Sequence, residues 1–119
     1  MRIHNFLKAE LKPEHIHGGV GLCPHATVFP GSEIDAPVRF VNYTILPPGA
    51  GFGLHEHGDD NELYVVLRGR GVYTQDGEEA AVEAGDIIMN APRGTHAIRN
   101  TGAEEMALLV FEVQACAAN

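Results

Sequence analysis

The chain has 119 residues, the size of one domain, with no room for a second. Sixteen acidic residues against eight basic ones give a formal net charge of −8, which excludes the positive surface that nucleic acids or anionic membranes require. No apolar run approaches the ~20 residues of a membrane helix, and the start lacks the apolar stretch of a signal peptide, so we expect a cytoplasmic protein with reduced thiols at Cys23 and Cys116.

Residues 1–24 are expected to form an N-terminal arm, with a short helix possible over residues 1–15. Pro13 would end that helix, and its apolar face would consist of Phe6, Leu7 and Leu11. The glycine-rich stretch over residues 17–21 predicts irregular backbone. Three histidines in the arm are expected to be exposed, and a second metal site among them is the less favoured alternative: His4, His15 and His17.

Beyond the arm, short runs of β-branched and aromatic residues alternate with glycine and proline turns. They predict strands at residues 25–29, 38–46, 62–67, 72–75, 80–83, 86–89, 95–99 and 106–113. Asp76-Gly77 is a strong signal for a tight hairpin turn. With one more strand carrying a pair of histidines, eight or nine short strands indicate an all-β sandwich or barrel.

Two segments carry residues that can bind a metal. The first reads Gly49-x5-His55-x-His57-x4-Glu62-x6-Gly69, and the second reads Gly85-x10-His96-x3-Asn100. On a strand, residues two apart share a face, so His55 and His57 would present two imidazoles side by side. After a polar turn, Glu62 opens the returning strand, and His96 would come from a third strand. Three imidazoles and one carboxylate suit a divalent transition metal and leave positions for water or substrate.

Each residue alone has an ordinary explanation as a solvent-facing side chain, but the combined spacings favour a metal site. The two segments resemble the two sequence motifs of the cupin superfamily. The first, G-x5-H-x-H-x3,4-E-x6-G, is matched at every defined position. The second, G-x5-P-x-G-x2-H-x3-N, is matched except that Pro92 and Gly94 sit one residue late. The spacer between the motifs is 15 residues, as in small microbial cupins.

The resemblance implies a single cupin domain over residues 1–119, with its conserved jelly-roll barrel (a double-stranded β-helix) at residues 38–113. It implies one divalent metal per chain, with Mn or Fe favoured over Ni, Co or Zn. The metal ligands that it implies are His55, His57, Glu62 and His96. Cupins are commonly homodimers, often with an N-terminal strand added to the neighbour's sheet, and here residues 25–29 could be that strand.

Strand alternation predicts the wall around the metal. Tyr64 and Val66 should point inward with Glu62, and Ile98 and Asn100 should point inward with His96, while Arg99 points out. The apolar lining is expected from Phe52, Leu54 and Met89, together with Tyr64 and Ile98. On the 38–46 strand two inward sets stay open, namely Phe40, Asn42 and Thr44, or Val41, Tyr43 and Ile45.

The resemblance leaves the chemistry open, because one fold hosts many activities. One hypothesis is a metal-dependent enzyme that acts on a small chelating carboxylate, resembling oxalate decarboxylase or a dioxygenase. Its proton donor has no spacing to identify it, and the candidates are Asp59, Asp60, His25 and Tyr64. The alternative is a metal-dependent module that binds a small ligand without turnover. A sugar isomerase or epimerase is a weaker alternative, since the complete ligand set counts against it.

Overall fold

The computed structural model describes residues 1–56 and 58–114. Single 3-10 turns at Phe6–Lys8, Ile16–Gly18 and Gly31–Glu33 interrupt an otherwise all-β structure. Its ten strands are β1 (Lys12–Glu14), β2 (Cys23–Pro30), β3 (Val38–Leu46), β4 (Gly51–Glu56), β5 (Asp60–Arg68), β6 (Arg70–Gln75), β7 (Glu78–Glu83), β8 (Ile87–Asn90), β9 (Thr95–Asn100) and β10 (Met106–Gln114). No helix in the described part of the chain is long and apolar enough to cross a membrane.

The strands form two antiparallel sheets that face each other. One has six strands in the order β1-β2-β3-β10-β5-β8, and the other has four in the order β4-β9-β6-β7. Side chains from both sheets build one core between them; the ring of Phe52 on β4 meets that of Tyr64 on β5 edge-on, with centroids 5.5 Å apart. The predicted all-β, jelly-roll fold is confirmed, and the hairpin at Asp76-Gly77 joins β6 to β7 as expected.

The predicted helix over residues 1–15 is wrong. Residues 1–15 contain a single 3-10 turn, Phe6–Lys8, in which the side chain of Asn5 accepts a hydrogen bond from the backbone N–H of Leu7. Phe6 packs against Tyr43 at 4.8 Å, whereas Leu7 is 75 % exposed, so the apolar residues do not share a helix face. Pro13 lies inside β1, the outermost strand of its sheet among the described residues, and an edge strand tolerates the missing N–H of proline.

The strand predicted at residues 25–29 exists as β2, but it pairs with β3 of its own chain. The register places Ala26 opposite Tyr43, and β1 covers the other edge of β2. Because both edges of β2 are paired within the chain, the expected addition of this strand to a neighbour's sheet is not what the structure shows. If two copies associate, they must do so through another surface.

The open choice on β3 is decided by burial. Thr44 is fully buried, and Phe40 packs against the core, so Phe40, Asn42 and Thr44 are the inward set. Tyr43 is also buried, but on the outer face, where the ring of Phe6 covers it. On the same inward face, the imidazole Nδ1 of His25 on β2 lies 2.7 Å from the hydroxyl oxygen of Thr44.

Candidate metal centre

Three of the four predicted ligands converge between the sheets. His55 on β4 lies directly opposite His96 on β9, and their rings meet edge-on with centroids 4.3 Å apart. Glu62 on β5 comes from the facing sheet, with its Oε1 3.8 Å from Nε2 of His96. One ligand atom from each of the three residues lies within 4.8 Å of the others. The fourth predicted ligand, His57, lies outside the described residues.

The barrel desolvates this cluster. His96 is 1 % exposed and Glu62 is 6 % exposed, so a carboxylate and an imidazole face each other away from bulk water. Two imidazoles and a carboxylate are a mixed nitrogen and oxygen donor set that fits Mn, Fe, Co, Ni or Zn. Cys23, the cysteine among the described residues, is a buried free thiol on β2, and the cluster contains no sulfur donor.

His55 is oriented for metal binding by its own strand. Its Nδ1 lies 2.7 Å from the carbonyl oxygen of Gly53. Because a carbonyl can only accept, Nδ1 carries the proton and Nε2 presents its lone pair to the site. Burial lowers the pKa of His55 to about 4, against a smaller opposing effect of the Gly53 hydrogen bond, so the ring is neutral at physiological pH. Neutral imidazole is the form that binds metals.

A β-bulge in β4 sets the direction of its side chains. Phe52 pairs with Ile98, and His55 pairs with His96. Between these two pairs the chain advances three positions along β4 but only two along β9. The extra residue turns both Phe52 and His55 inward, which strict alternation could not do. Leu54 then points outward and is 66 % exposed, so its predicted place in the pocket lining is wrong.

The predicted place of Met89 in the lining is also wrong, because β8 has the opposite face inward. Asn90 pairs with Glu62 across β5 and β8, so Asn90 shares the inner face with the carboxylate. Met89 pairs with Leu63 on the outer face and is 53 % exposed. The other lining residues, Phe52, Tyr64 and Ile98, are buried in the core.

Asn90 is a supporting residue that the sequence analysis missed. Its side chain is fully buried, and its amide nitrogen donates to the backbone carbonyl of Glu62 at 3.1 Å. Its amide oxygen accepts from the hydroxyl of Tyr73 on β6, in the facing sheet. The hydrogen bond between Tyr73 and Asn90 therefore links the two sheets next to Glu62. Asn is mostly exposed in proteins, and neither Asn90 nor Tyr73 occupies a defined position of the two motifs, so no sequence signal identified them.

Asn100, the last residue of the second motif, has a structural role. Its amide nitrogen donates to the carbonyl oxygens of Leu46 at 2.8 Å and Glu104 at 2.7 Å. Its amide oxygen accepts from the backbone N–H of Gly102 at 2.8 Å. The side chain is buried as predicted, but it organises the turn after β9.

The four candidate proton donors lie in different environments. The side chain of Asp59 is 87 % exposed, 3.8 Å from Arg93, and Asp60 pairs with Arg39 at 3.1 Å. Burial and the charge of Glu62 hold the pKa of Tyr64 well above its ordinary value, which makes its hydroxyl a poor acid. His25 faces inward on β2, bonded to Thr44.

Glu112 on β10 is a fifth candidate proton donor, which the sequence did not single out. It lies directly opposite Glu62 across the β5–β10 ladder, and opposite residues of neighbouring strands share a face. It is partly buried, and its charge contributes to the raised pKa of Tyr64. Val110 is buried and lies two residues before Glu112, so strand alternation from Val110 is the sequence signal that points to Glu112.

Comparison with known proteins decides the family. The sequence profile of the cupin domain matches residues 42–112, more than half of the chain. The chain belongs to the cupin family. It is 32 % identical over 104 residues to the oxalate-binding protein of Thermotoga maritima, a match that covers 85 % of this chain and 86 % of the relative.

Solved structures agree with this assignment. The crystal structure of a predicted oxalate decarboxylase from Thermotoga maritima superposes with a TM-score of 0.87 and 27 % identity, covering 95 % of this chain and 99 % of that chain. A Cupin 2 conserved barrel domain protein from Salinispora arenicola superposes with a TM-score of 0.77 over 97 % of this chain and 90 % of that chain. At 22 % identity, that second likeness concerns the fold alone.

Proposed function

We propose that this cupin binds one divalent transition metal through His55, Glu62 and His96, with His57 as the fourth ligand, and that Mn or Fe is its metal. The observation that carries the proposal is the convergence of the described ligand atoms within 4.8 Å, from both sheets of a desolvated barrel. The metal, when bound, supplies a Lewis acid with open positions. The chain's own residues hold it, keep the His55 imidazole neutral and exclude bulk water.

We further propose that a small chelating dicarboxylate of the oxalate type occupies the open positions. A net charge of −8 would repel a dianion, so recognition must come from a local positive centre, which the metal provides. The relative named as an oxalate-binding protein supports this choice of ligand. Binding without turnover is the favoured function, since Asp59 and Asp60 engage arginines and Tyr64 is a weak acid.

Decarboxylation is the second candidate, and Glu112 is the observation that favours it. Conversion of oxalate to formate and CO₂ replaces a carboxylate by hydrogen, so a proton must reach the carbon. Glu112 is a carboxylic acid on the inner face of the barrel, opposite Glu62. A protonated Glu112 could supply that proton, whereas an ionised one would repel the dianion.

Calorimetric titration with oxalate tests both functions. We expect the Mn²⁺-loaded protein to bind oxalate, and the metal-free protein to show no heat, because the metal is the positive centre. Malonate, whose two carboxylates are further apart, is the matched ligand control and should bind more weakly. Formate in the reaction mixture, under air or anaerobically, would establish turnover, and its loss in Glu112→Gln with oxalate binding retained would identify the donor. Equal oxalate binding without metal would contradict the proposed site.

We propose a homodimer formed through the outer face of the six-stranded sheet. Four apolar residues of β5 and β8 lie side by side there, in the pairs Leu63 with Met89 and Val65 with Ile87. Leu109 and Phe111 of β10 continue the same face next to Val65 and Leu63. Ile87 is 66 % exposed and Met89 is 53 % exposed, and contiguous apolar patches of this kind mark protein interfaces.

Sedimentation velocity at micromolar concentration checks the dimer. The wild-type protein should sediment as a dimer, with twice the 12.8 kDa mass of one chain. Ile87→Glu should shift the protein to monomer, because two copies would bring two carboxylates into an apolar interface. Leu54→Glu is the matched control, since Leu54 is equally exposed but lies on β4, in the other sheet. A wild-type monomer, or a dimer unaffected by Ile87→Glu, would exclude this surface.

A further inference from the structure

A second histidine ring covers His55. The imidazole of His17 stacks on that of His55 with centroids 3.6 Å apart and planes inclined by 11°. His17 belongs to the arm, in the 3-10 turn Ile16–Gly18, and its backbone is left-handed (φ 50°, ψ 37°). Non-glycine residues adopt this region rarely and at an energetic cost, and such residues concentrate at functional sites.

The segment around His17 is held firmly on β4. The backbone N–H of Gly51 donates to the carbonyl of Val20 at 3.0 Å, and that of Gly19 donates to the carbonyl of Ile16 at 3.0 Å. Ile16 itself packs against the core. The glycine at position 53 allows close approach, because a Cβ there would overlap the carbonyl oxygen of His17. The stacked ring is therefore carried by a fixed element.

His55 is consequently restrained from two directions. The carbonyl of Gly53 fixes the ring at Nδ1, and the ring of His17 covers one of its faces. An imidazole that keeps one rotamer loses less conformational freedom when a metal binds to it, and supporting partners of this kind increase metal affinity. We propose that His17 is a positioning residue that holds His55 in its metal-binding orientation; the inference rests on the proposed metal site.

A role as a ligand is a different possibility, and the geometry argues for positioning. The described residues whose ligand atoms lie mutually within 4.8 Å are His55, Glu62 and His96, and His17 is not in that group. Face-to-face stacking uses the π surface of the ring, so a flat ring without nitrogen should serve equally well. A ligand, in contrast, would need its nitrogen.

The test uses His17→Asn, His17→Phe and His17→Gly in the full chain. Asn and Gly tolerate a left-handed backbone but remove the ring, whereas Phe keeps a flat ring without nitrogen. We expect Mn²⁺ to bind about tenfold more weakly to the Asn and Gly variants, and the Phe variant to bind like the wild type. Competition with a chromophoric chelator measures the affinity, and the visible absorption of the Co²⁺-loaded protein reports the ligand geometry.

His4→Asn is the control variant. His4 lies on the arm, where its Nε2 is 3.0 Å from a carboxylate oxygen of Glu33, so its replacement should leave the Mn²⁺ affinity unchanged. Failure of the wild-type chain to bind metal would refute the proposed metal site itself. Wild-type binding with unchanged affinity in the Asn and Gly variants would overturn the positioning role alone. Equal weakening in the Phe variant would overturn positioning by ring stacking, because that variant keeps the flat ring.

Discussion

Replacing His55 and His96 together by Ala is expected to abolish metal binding. The metal content found by elemental analysis should fall from one divalent metal per wild-type chain to a trace in the double variant, because two of the proposed ligands are gone. Each single replacement should weaken binding by more than the about 10–100-fold that loss of a supporting partner costs. As proposed ligands, both residues would donate to the metal directly, so their effects should exceed that of His17.

Thermal unfolding provides an independent measure of the same prediction. A metal at about 100 times its Kd stabilises the folded state by about 2.7 kcal/mol, which for a domain of this size raises Tm by roughly 10 °C. The double variant should show no such shift. Because His96 is buried, its replacement also leaves a cavity, so the comparison is between each variant with and without metal.

His25→Ala is the matched control for both measurements. It removes a partly buried histidine of the same barrel that bonds to Thr44 and lies outside the cluster. It should keep one metal per chain and the full metal-induced shift in Tm, although the protein itself becomes less stable. Stoichiometric metal in the His55→Ala/His96→Ala variant would refute the assigned site.

The sequence predicted the parts of the site that depend on spacing. Glu62, Tyr64 and Val66 share the inner face, as do His96 and Ile98, because β5 and β9 alternate without interruption through these residues. The assignment of the chain to the cupins followed from two spaced motifs, and the shifted Pro92 and Gly94 left His96 in place opposite His55. Periodicity and turn chemistry are local properties, and a sequence carries them directly.

The two wrong assignments in the pocket lining have one origin, which is the register between strands. Leu54 points outward because a bulge follows Phe52. Met89 points outward because its neighbours Asn90 and Ile88 lie opposite the inward residues of β5. A shift of one residue reverses every side chain of a strand, and nothing within a strand's own sequence specifies its partner. The stacking of His17 on His55 is likewise a contact between distant segments, so neither residue's neighbours could reveal it.

The contact between the arm and β4 leads to a second large expected effect. Gly19→Ala should lower the free energy of unfolding by about 3 kcal/mol, the upper end of typical over-packing costs. A Cβ on Gly19 would overlap the carbonyl oxygen of Gly51 and lie 2.7 Å from the backbone nitrogen of Gly53. The backbone angle of Gly19 (φ −69°) suits alanine, so the loss comes from the close approach alone.

Alanine substitutions at two other glycines distinguish the effect of close backbone approach from the effect of a left-handed backbone. Gly18 has φ +67° with open space around its Cβ position, so Gly18→Ala should cost only about 1 kcal/mol. Gly58 has open space and no left-handed backbone, so Gly58→Ala should be neutral within about 0.5 kcal/mol. Urea unfolding with an unchanged m value measures all three. Equal stability of the Gly19 and Gly18 variants would mean that the arm does not lie against β4, and the support of His55 by His17 would fail with it.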